Sequence, residues 1–280
     1  MTLEIEVLTI GQVFAERAFE VKNMQPGRVT PVPTNVFLIK GLPVGPVLVD
    51  TGFRTPEIME TIGMRATVSE EQHLEAHLAQ RGIAPGDIRY VIQTHLHIDH
   101  AGKTDLFPMS TTAIVAREEL ANAAGGLAGW AYPSQDIKHM IDRVYTKDAA
   151  WLLDGQVGDV IELFDGVAVE IAGGHSAGSM NVLVETDDGI ANICGDVLYS
   201  LNHQCREPFA ERNCYEPRIS GNTIFSERDE KRAMKRIYYK SDWLVPSHDT
   251  PVRMDDSKDR TLGGALVGIT IPGPVESIVT

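Results

Sequence analysis

Three histidines and one aspartate lie within six residues of each other near the middle of the chain: His95, His97, Asp99 and His100. Imidazole and carboxylate groups are the side chains that bind zinc in catalytic sites. His95 and His97 are two residues apart at the end of an expected strand, so both rings can point to the same side. Asp99 and His100 follow in the turn and offer a second pair of ligands. The spacing therefore favours two neighbouring metal ions over one.

A single histidine is more often an ordinary surface or core residue than a metal ligand. We accept that interpretation for His73 and His77, which share a helix with a solvated face. His139 and His203 are also expected to be structural or to face the substrate. The interpretation fails for the cluster at 95–100, because so many polar groups after a buried strand would cost free energy without helping the chain fold.

The elements around this cluster predict how it is positioned. Residues 88–92 form a short β-branched strand that leads directly into it. Residues 35–40 and 46–49 are apolar runs separated by glycine and proline, which predicts a hairpin ending in the turn Asp50-Thr51-Gly52. By contrast, residues 11–34 are polar and proline-containing, which predicts a loop or a broken hairpin.

The remaining elements alternate between strands and helices. Helices are expected at 69–82, 117–124 and 226–240, the last with a cap formed by Ser226 and Asp229. Further strands are expected at 3–10, 111–116, 159–163, 167–172, 180–186, 189–194 and 242–246. Strands and helices in this order predict an α/β sandwich of two sheets covered by helices on the outside.

The whole chain, 1–280, is expected to be one domain, with a probable substrate-cap insertion at about 125–148. This segment is too long for an ordinary connection. Trp130, Tyr132 and Met140 would supply an apolar wall for a substrate; the alternative is a packed cap that never touches it. The tail from Gly263 is expected to pack as an arm or to serve a dimer.

Composition excludes several classes of protein. The net charge is −14, from 25 basic and 39 acidic side chains, so nucleic acid is not an expected partner. The N-terminus lacks the pattern of a signal peptide and no stretch is long and apolar enough to span a membrane, which predicts a cytoplasmic protein without a membrane partner. The three cysteines are too few for a disulfide framework, although a disulfide bond between Cys205 and Cys214, across a loop, is left open.

The segment Thr94-His95-Leu96-His97-Ile98-Asp99-His100-Ala101-Gly102 resembles the His-x-His-x-Asp-His motif of the metallo-β-lactamase superfamily. Four more segments resemble landmarks of that family in the same order, over roughly residues 35–250. They are Asp50-Thr51-Gly52, Gly174-His175-Ser176-Ala177-Gly178-Ser179, Gly195-Asp196 and Ser247-His248. The resemblance implies a four-layer αβ/βα sandwich with a metal centre at one edge, between the sheets.

By position in the family, His95, His97 and His175 are expected to hold a first zinc ion. Asp99, His100 and His248 would hold a second, and Asp196 would bridge the two. Two Zn²⁺ ions per chain are therefore expected, with iron or manganese as alternatives. Ser176-Ala177 departs from the family's usual Thr-Pro, which affects the stiffness of the loop rather than the ligand.

Within the superfamily, the N-terminal layout resembles the N-acyl homoserine lactonases, enzymes associated with quorum quenching. Tyr199 lies three residues after Asp196, where a tyrosine of that branch helps to polarise the substrate carbonyl; the alternative is an ordinary loop aromatic. Ser179 departs from this branch, which often has a histidine there. The resemblance implies that a hydroxide shared by the metal ions attacks a lactone or similar ester, with Asp99 carrying a proton to the leaving alkoxide.

Other functions of the same fold remain open. A thioesterase of the glyoxalase II kind would need much the same ligands, and a non-catalytic metal-binding or ligand-sensing protein is the alternative outside enzymes. A secreted β-lactamase is disfavoured by the missing export signal. A flavodiiron-type protein or a nuclease would be expected to carry a further domain. A small-molecule ester or lactone is thus the expected partner, and a homodimer is left open.

Overall fold

The computed structural model describes residues 2–126, 128–212, 216–223, 225–254 and 269–270. The first sheet has the strand order β14-β1-β2-β3-β5-β6-β7, with β4 paired to β1, and the second has the order β13-β12-β11-β10-β9-β8. The first sheet contains β1 (Glu4–Glu16), β2 (Val29–Lys40), β3 (Val47–Val49), β4 (Arg65–Thr67), β5 (Tyr90–Ile92), β6 (Thr112–Ala116), β7 (Ala150–Leu153) and β14 (Ile269–Thr270). The second contains β8 (Val160–Phe164), β9 (Val167–Ile171), β10 (Met180–Thr186), β11 (Gly189–Gly195), β12 (Trp243–Pro246) and β13 (Val252–Arg253).

Helices connect the strands and cover the outer faces of the sheets. The α-helices are α1 (Arg17–Glu20), α2 (Leu74–Gln80), α3 (Arg117–Ala124), α4 (Ser134–Val144), α5 (Glu207–Arg212) and α6 (Glu227–Lys240). Short 3-10 turns occur at Pro56–Ile62, Glu70–Gln72, Pro85–Asp87 and Thr104–Leu106, and a π-turn at Asn202–Arg206 leads into α5. None of the helices in the described ranges is long and apolar enough to cross a membrane.

The main hydrophobic core lies between the two sheets, and smaller cores lie under the helices. Strand β2 contributes side chains to two of these cores, one on each of its faces. Phe37 and Ile39 point into the core between the sheets, whereas Val36 and Leu38 point outward and pack with residues of α2. Helices α3 and α4 pack in a further core with β6, and α6 covers the second sheet. The four-layer αβ/βα sandwich expected from the sequence is confirmed.

Residues 11–34 were predicted as a loop or a broken hairpin, and the structure has the hairpin, with an irregular first strand, rather than the loop. Strand β1 continues to Glu16 and β2 begins at Val29, so the two form one long antiparallel hairpin. Gly11, with φ +140°, lies where the register shifts, and this irregularity lets β1 continue. Pro31 and Pro33 lie in the part of β2 that pairs only with β1, and proline is tolerated where a strand has one free edge.

The helix expected at 69–82 is divided into two pieces. Ser69 begins a 3-10 turn, where its backbone N–H donates to Gln72 Oε1 at 3.0 Å, and α2 begins only at Leu74. The end expected at Gly82 agrees with its φ of +67°, a conformation that glycine adopts without strain. The helix at 117–124 is confirmed as α3, and the helix expected at 226–240 is confirmed as α6 with Ser226 as its cap.

Two expectations fall largely outside the described residues. Cys194 and Cys205 are buried and form no disulfide with any described residue, and burial raises the pKa of the Cys205 thiol to about 12. Cys214, the partner considered for Cys205, lies outside the described residues, as does most of the tail from Gly263. Within that tail, Ile269–Thr270 adds a short parallel strand beside β1.

Candidate metal centre

The seven side chains expected to bind metal come together at one edge of the sandwich. Four of them follow β5 of the first sheet, and three follow strands β9, β11 and β12 of the second sheet. Strands β11 and β12 are parallel neighbours, so their carboxyl ends bring Asp196 and His248 to the same edge. Three groups have ligand atoms within 4.8 Å of one another: His95, His97 and His175; His95, His100 and Asp196; and Asp99, His100 and His248.

Asp196 lies between the two sets of ligands. Its Oδ1 is 3.1 Å from His100 Nε2 and 3.2 Å from His248 Nε2. Its Oδ2 is 3.5 Å from His175 Nε2 and 3.9 Å from His95 Nε2. One carboxylate therefore faces histidines of both expected sites, as a bridging ligand requires.

Ring nitrogens converge at this edge without the hydrogen-bond partners that buried polar atoms normally have. His95 Nε2 has no hydrogen-bond partner among the described residues, and His175 Nε2 lies 3.0 Å from His97 Nδ1, a ring nitrogen of the same kind. A buried polar atom without a partner costs free energy, and such groups are rare in folded proteins. Ring nitrogens and a carboxylate oxygen that converge in this way are a donor set that zinc accepts. The residues present fit divalent metal ions.

The electrostatics differ between the two sides of the centre. Burial, together with His100 and the other histidines nearby, lowers the pKa of His95 well below its ordinary value. Burial and the nearby His175 also lower the pKa of His97 well below its ordinary value, and burial lowers the pKa of His175 to about 4. These three rings are therefore neutral at pH 7, which is the form that binds metal.

The carboxylate-rich side behaves in the opposite way. Burial opposes the charged form of His100, but the carboxylates of Asp196, Asp99 and Asp50 outweigh it and raise its pKa well above the ordinary value. The pKa of His248 is raised for the same reason, mainly by Asp196. Burial alone would raise the pKa of Asp196, yet His100 and His248 hold it well below its usual range. This side concentrates negative charge where a cation is expected.

Backbone and carboxylate groups hold two of the rings from behind. Asp50 accepts hydrogen bonds from the Thr94 backbone N–H and hydroxyl, both at 2.7 Å, and its Oδ2 lies 2.9 Å from His100 Nδ1. His248 Nδ1 lies 2.8 Å from the carbonyl oxygen of Pro33. Each contact leaves the Nε2 atom facing the centre and sets the orientation of the ring, as outer groups do in metal sites.

Tyr199 is part of the same site. Its hydroxyl donates a short hydrogen bond to Asp196 Oδ2 and accepts one from Asn222 Nδ2 at 2.6 Å. Its ring stacks on His248, with 5.4 Å between centroids and 8° between planes. Burial and Asp196 raise the pKa of Tyr199 well above its ordinary value, so its proton is retained. Asn222 was missed by the sequence analysis, because a lone asparagine in a loop carries no signal.

A cavity opens onto the centre. Its wall is mainly apolar, with Glu20 and Asn222 as polar exceptions away from the ligands. The apolar lining consists of Val13, Ala15, Phe19, Val32, Met59, Ile62, Met64, Ile98, Trp130 and Ala131. Such a lining, with a few polar groups at one end, is typical of sites for small molecules.

The segment 125–148 contributes to this cavity in part. Trp130 lines it, and the ring of Tyr132 packs on His97 with 4.8 Å between centroids. Met140 instead lies fully buried in the core beneath α3 and α4, so for this residue the packed-cap alternative holds and not the substrate wall. Helix α4 is amphipathic, and its apolar face faces that core rather than the cavity.

Other residues considered in the sequence analysis lie outside the centre. His77 Nε2 is 3.0 Å from the carbonyl oxygen of Thr9, and His203 Nδ1 is 2.7 Å from a carboxylate oxygen of Glu207. His139 Nε2 accepts a hydrogen bond from Arg143 Nε at 2.8 Å. Ser179 Oγ accepts from the Ser176 N–H at 2.9 Å and thereby closes the loop after His175.

Comparison with known proteins adds independent information. The family model of the metallo-beta-lactamase superfamily matches residues 29–248. An N-acyl homoserine lactonase of Bacillus cereus is 27% identical over 212 residues, which are 71% of this chain and 78% of that protein. The N-acyl homoserine lactonase AiiB of Agrobacterium fabrum is 29% identical over 200 residues, or 65% of this chain and 71% of its own length.

Solved structures share the fold at lower sequence identity. A probable metal-dependent hydrolase from Staphylococcus aureus has a TM-score of 0.72 at 19% identity, covering 95% of this chain and 99% of its own. A quorum-quenching N-acyl homoserine lactone hydrolase has a TM-score of 0.65 at 24% identity, covering 85% of this chain and 87% of its own. At such identities the likeness is one of fold.

Proposed function

Because this chain belongs to the metallo-beta-lactamase superfamily, we propose that it is a metal-dependent hydrolase that holds two zinc ions and opens a lactone or similar ester. The observation that carries the proposal is the convergence of buried imidazole nitrogens and carboxylate oxygens around Asp196. His95, His97 and His175 would hold one ion, Asp99, His100 and His248 the other, and Asp196 would bridge them. Iron or manganese would suit the same ligands.

Two bound divalent cations supply a nucleophile from water at neutral pH and polarise the ester carbonyl. The protein residues then have separate tasks. Tyr199 retains its proton, and its hydroxyl would turn from Asp196 to donate a hydrogen bond to the carbonyl oxygen of a substrate. Asn222 holds that hydroxyl in place.

Asp99 is the proposed proton carrier. Its side chain is 15% exposed, its Oδ2 lies 3.4 Å from His248 Nε2, and it borders the cavity. A carboxylate in this position can take a proton at Oδ2 and pass it to the leaving alkoxide of an opened ring. The apolar cavity wall excludes water from the rest of the substrate and would bind its non-polar part.

The lactone assignment rests on the relatives, which are N-acyl homoserine lactonases, and on the apolar cavity. Trp130 and Ala131 of the proposed cap segment, 125–148, would form one side of that cavity. The other expectations from the sequence stay predictions: a single domain over 1–280, a cytoplasmic location, a small-molecule partner rather than nucleic acid or membrane, and possible self-association into a homodimer.

The test is a hydrolase panel on the purified protein before and after metal removal. Lactones, simple esters and thioesters are assayed side by side, then again after chelation and after zinc is restored. We expect lactone opening to disappear with the metal and to return with zinc. Activity that survives complete demetallation contradicts the mechanism, and a clear preference for thioesters would favour a thioesterase.

A pair of histidine variants provides the matched control. His175→Ala should lower metal content and abolish turnover, since it removes a ligand. His203→Ala should leave both unchanged, because His203 contacts Glu207 outside the centre. Normal zinc binding without turnover on the whole panel would instead indicate a non-catalytic metal-binding protein.

A further inference from the structure

Glu119 is a fully buried carboxylate in the first turn of α3. It accepts four hydrogen bonds, two at each oxygen. Oε1 accepts from the Leu96 N–H at 2.9 Å and from the Tyr132 hydroxyl at 3.1 Å. Oε2 accepts from the Ser176 hydroxyl at 2.6 Å and from the Gly178 N–H at 3.0 Å. All four donors are neutral groups, so the carboxylate is satisfied without a cation.

The positions of these donors in the sequence are informative. Leu96 lies between His95 and His97, and Ser176 directly follows His175. His95 and His97 lie in the loop after β5 of the first sheet, whereas His175 lies in the loop between β9 and β10 of the second sheet. One side chain therefore ties together the two loops that carry the three histidines of one ligand group.

The packing around Glu119 is close on both sides. A Cβ atom built on Gly178 would lie 2.4 Å from the Glu119 backbone nitrogen, so α3 contacts the loop after His175 directly. Tyr132, which donates to Glu119, also packs its ring on His97. Burying a carboxylate is costly unless every oxygen is hydrogen-bonded, and removing this acceptor would leave buried donors unpaired.

We propose that Glu119 is a positioning residue that sets the geometry of the His95, His97 and His175 group and thereby its affinity for metal. The inference rests on the proposed function, because it assumes that this group binds an ion. It is specific to one side of the centre. On the other side, His100 is held by Asp50 and His248 by the Pro33 carbonyl, and neither contact involves Glu119.

The experiment measures metal binding rather than activity. Metal-free wild-type and Glu119→Gln proteins are titrated with Zn²⁺ in competition with a chromophoric chelator, which resolves the two binding steps. Glutamine has the same length, but its NH₂ group would face donors and can satisfy only one of the two pairs. We expect one of the two dissociation constants to rise by about 10- to 100-fold and the other to change little, as for other groups behind metal ligands.

Asp136→Asn is the matched control, since Asp136, which belongs to α4, is also a buried carboxylate but is paired with Arg54. It should lower stability without changing either zinc affinity. Ser176→Ala removes the 2.6 Å bond to Glu119 and a 2.6 Å contact with Ser179 Oγ, but it leaves the other three hydrogen bonds of Glu119 in place. It should show a smaller change in the same step, so it carries the test if Glu119→Gln does not fold.

The outcomes separate the two proposals. Two unchanged zinc affinities in Glu119→Gln, or in Ser176→Ala where the first variant does not fold, overturn the positioning role and leave the proposed function intact. An equal loss of zinc affinity in both binding steps also overturns the positioning role, because Glu119 would then affect the whole centre and not one group of ligands. A wild-type protein that binds no zinc contradicts the proposed function itself, and the positioning role with it.

Discussion

At the residue scale, the side chains behind the centre are as informative as the ligands. Thr51 and Asp50 belong to a turn in which Asp50 adopts φ +62°, a conformation that few residues other than glycine, asparagine and aspartate accept. The turn is held by the Thr51 N–H, which donates to the carbonyl oxygen of His100 at 2.6 Å. Asp50 can therefore reach both Thr94 and His100. The resulting hydrogen-bond network orients the His100 ring, which the sequence motif identifies only as a candidate ligand.

Tyr199 offers the first prediction. Tyr199→Phe removes the hydroxyl that would stabilise the developing negative charge on the substrate oxygen, while the ring still stacks on His248. We expect turnover to fall by about 10²-fold, as for the loss of one such donor in other enzymes. Metal content, measured by elemental analysis, should stay at the wild-type value; an unchanged rate would remove Tyr199 from the chemistry.

His77 offers a prediction on pH. Burial lowers its pKa, and its Nδ1 has no hydrogen-bond partner among the described residues. The unfolded chain therefore binds a proton more readily than the folded one between pH 6.5 and the lower folded pKa. Stability should fall as pH decreases below about 6.5, by at most about 1.4 kcal/mol per pH unit from this group.

The measurement is urea unfolding of wild type and His77→Gln between pH 8 and pH 5. The wild type should lose more stability over this range than the variant. Parallel pH dependences in the two proteins would show that His77 is not the group responsible.

At the scale of elements, the start of α6 is joined to the loop that carries His175. The Ser226 N–H donates to the carbonyl oxygen of Gly174 at 3.0 Å, and Ser226 Oγ accepts from the Asp229 N–H at 3.2 Å. Gly174 has φ +90°, and a Cβ there would lie 2.3 Å from the Glu230 backbone nitrogen. The helix therefore supports the loop from outside the second sheet.

Ser226→Ala tests this junction. The variant loses the side-chain cap of α6, which should lower the free energy of unfolding by about 1 kcal/mol. Chemical denaturation measures the change, and Ser226→Asp, which can still accept from the Asp229 N–H, is the control expected to restore most of it. A variant as stable as the wild type would show that the cap contributes nothing.

At the scale of the whole molecule, the metal centre joins the two sheets. His95, His97, Asp99 and His100 come from the first sheet, whereas the other three ligands come from the second. Ions bound by both sets would connect the halves of the sandwich at the edge where the cavity opens.

Metal removal should therefore destabilise the entire fold. An ion that binds only the folded protein adds RT ln(1 + [M]/Kd), about 2.7 kcal/mol at a concentration 100 times Kd. We expect the melting temperature of the chelated protein to fall by several degrees and to recover with zinc. His175→Ala should show a smaller difference between its two forms, and equal melting curves for the wild type with and without metal would contradict the proposed linkage.

The amino-acid sequence by itself predicted the proposed metal ligands, through their resemblance to a family motif. It also predicted the sandwich architecture and most of the strands, because hydrophobic periodicity is a local property of the chain. Only the tertiary structure decided which distant groups meet. It placed Asn222 beside Tyr199, Glu119 behind three histidines and Met140 in the core instead of the cavity. It also paired residues 12–16 with residues 29–33 in the hairpin of β1 and β2, since pairing between these strands outweighs the local preference of prolines for loops. Such contacts join residues far apart in the chain, and no local pattern records them.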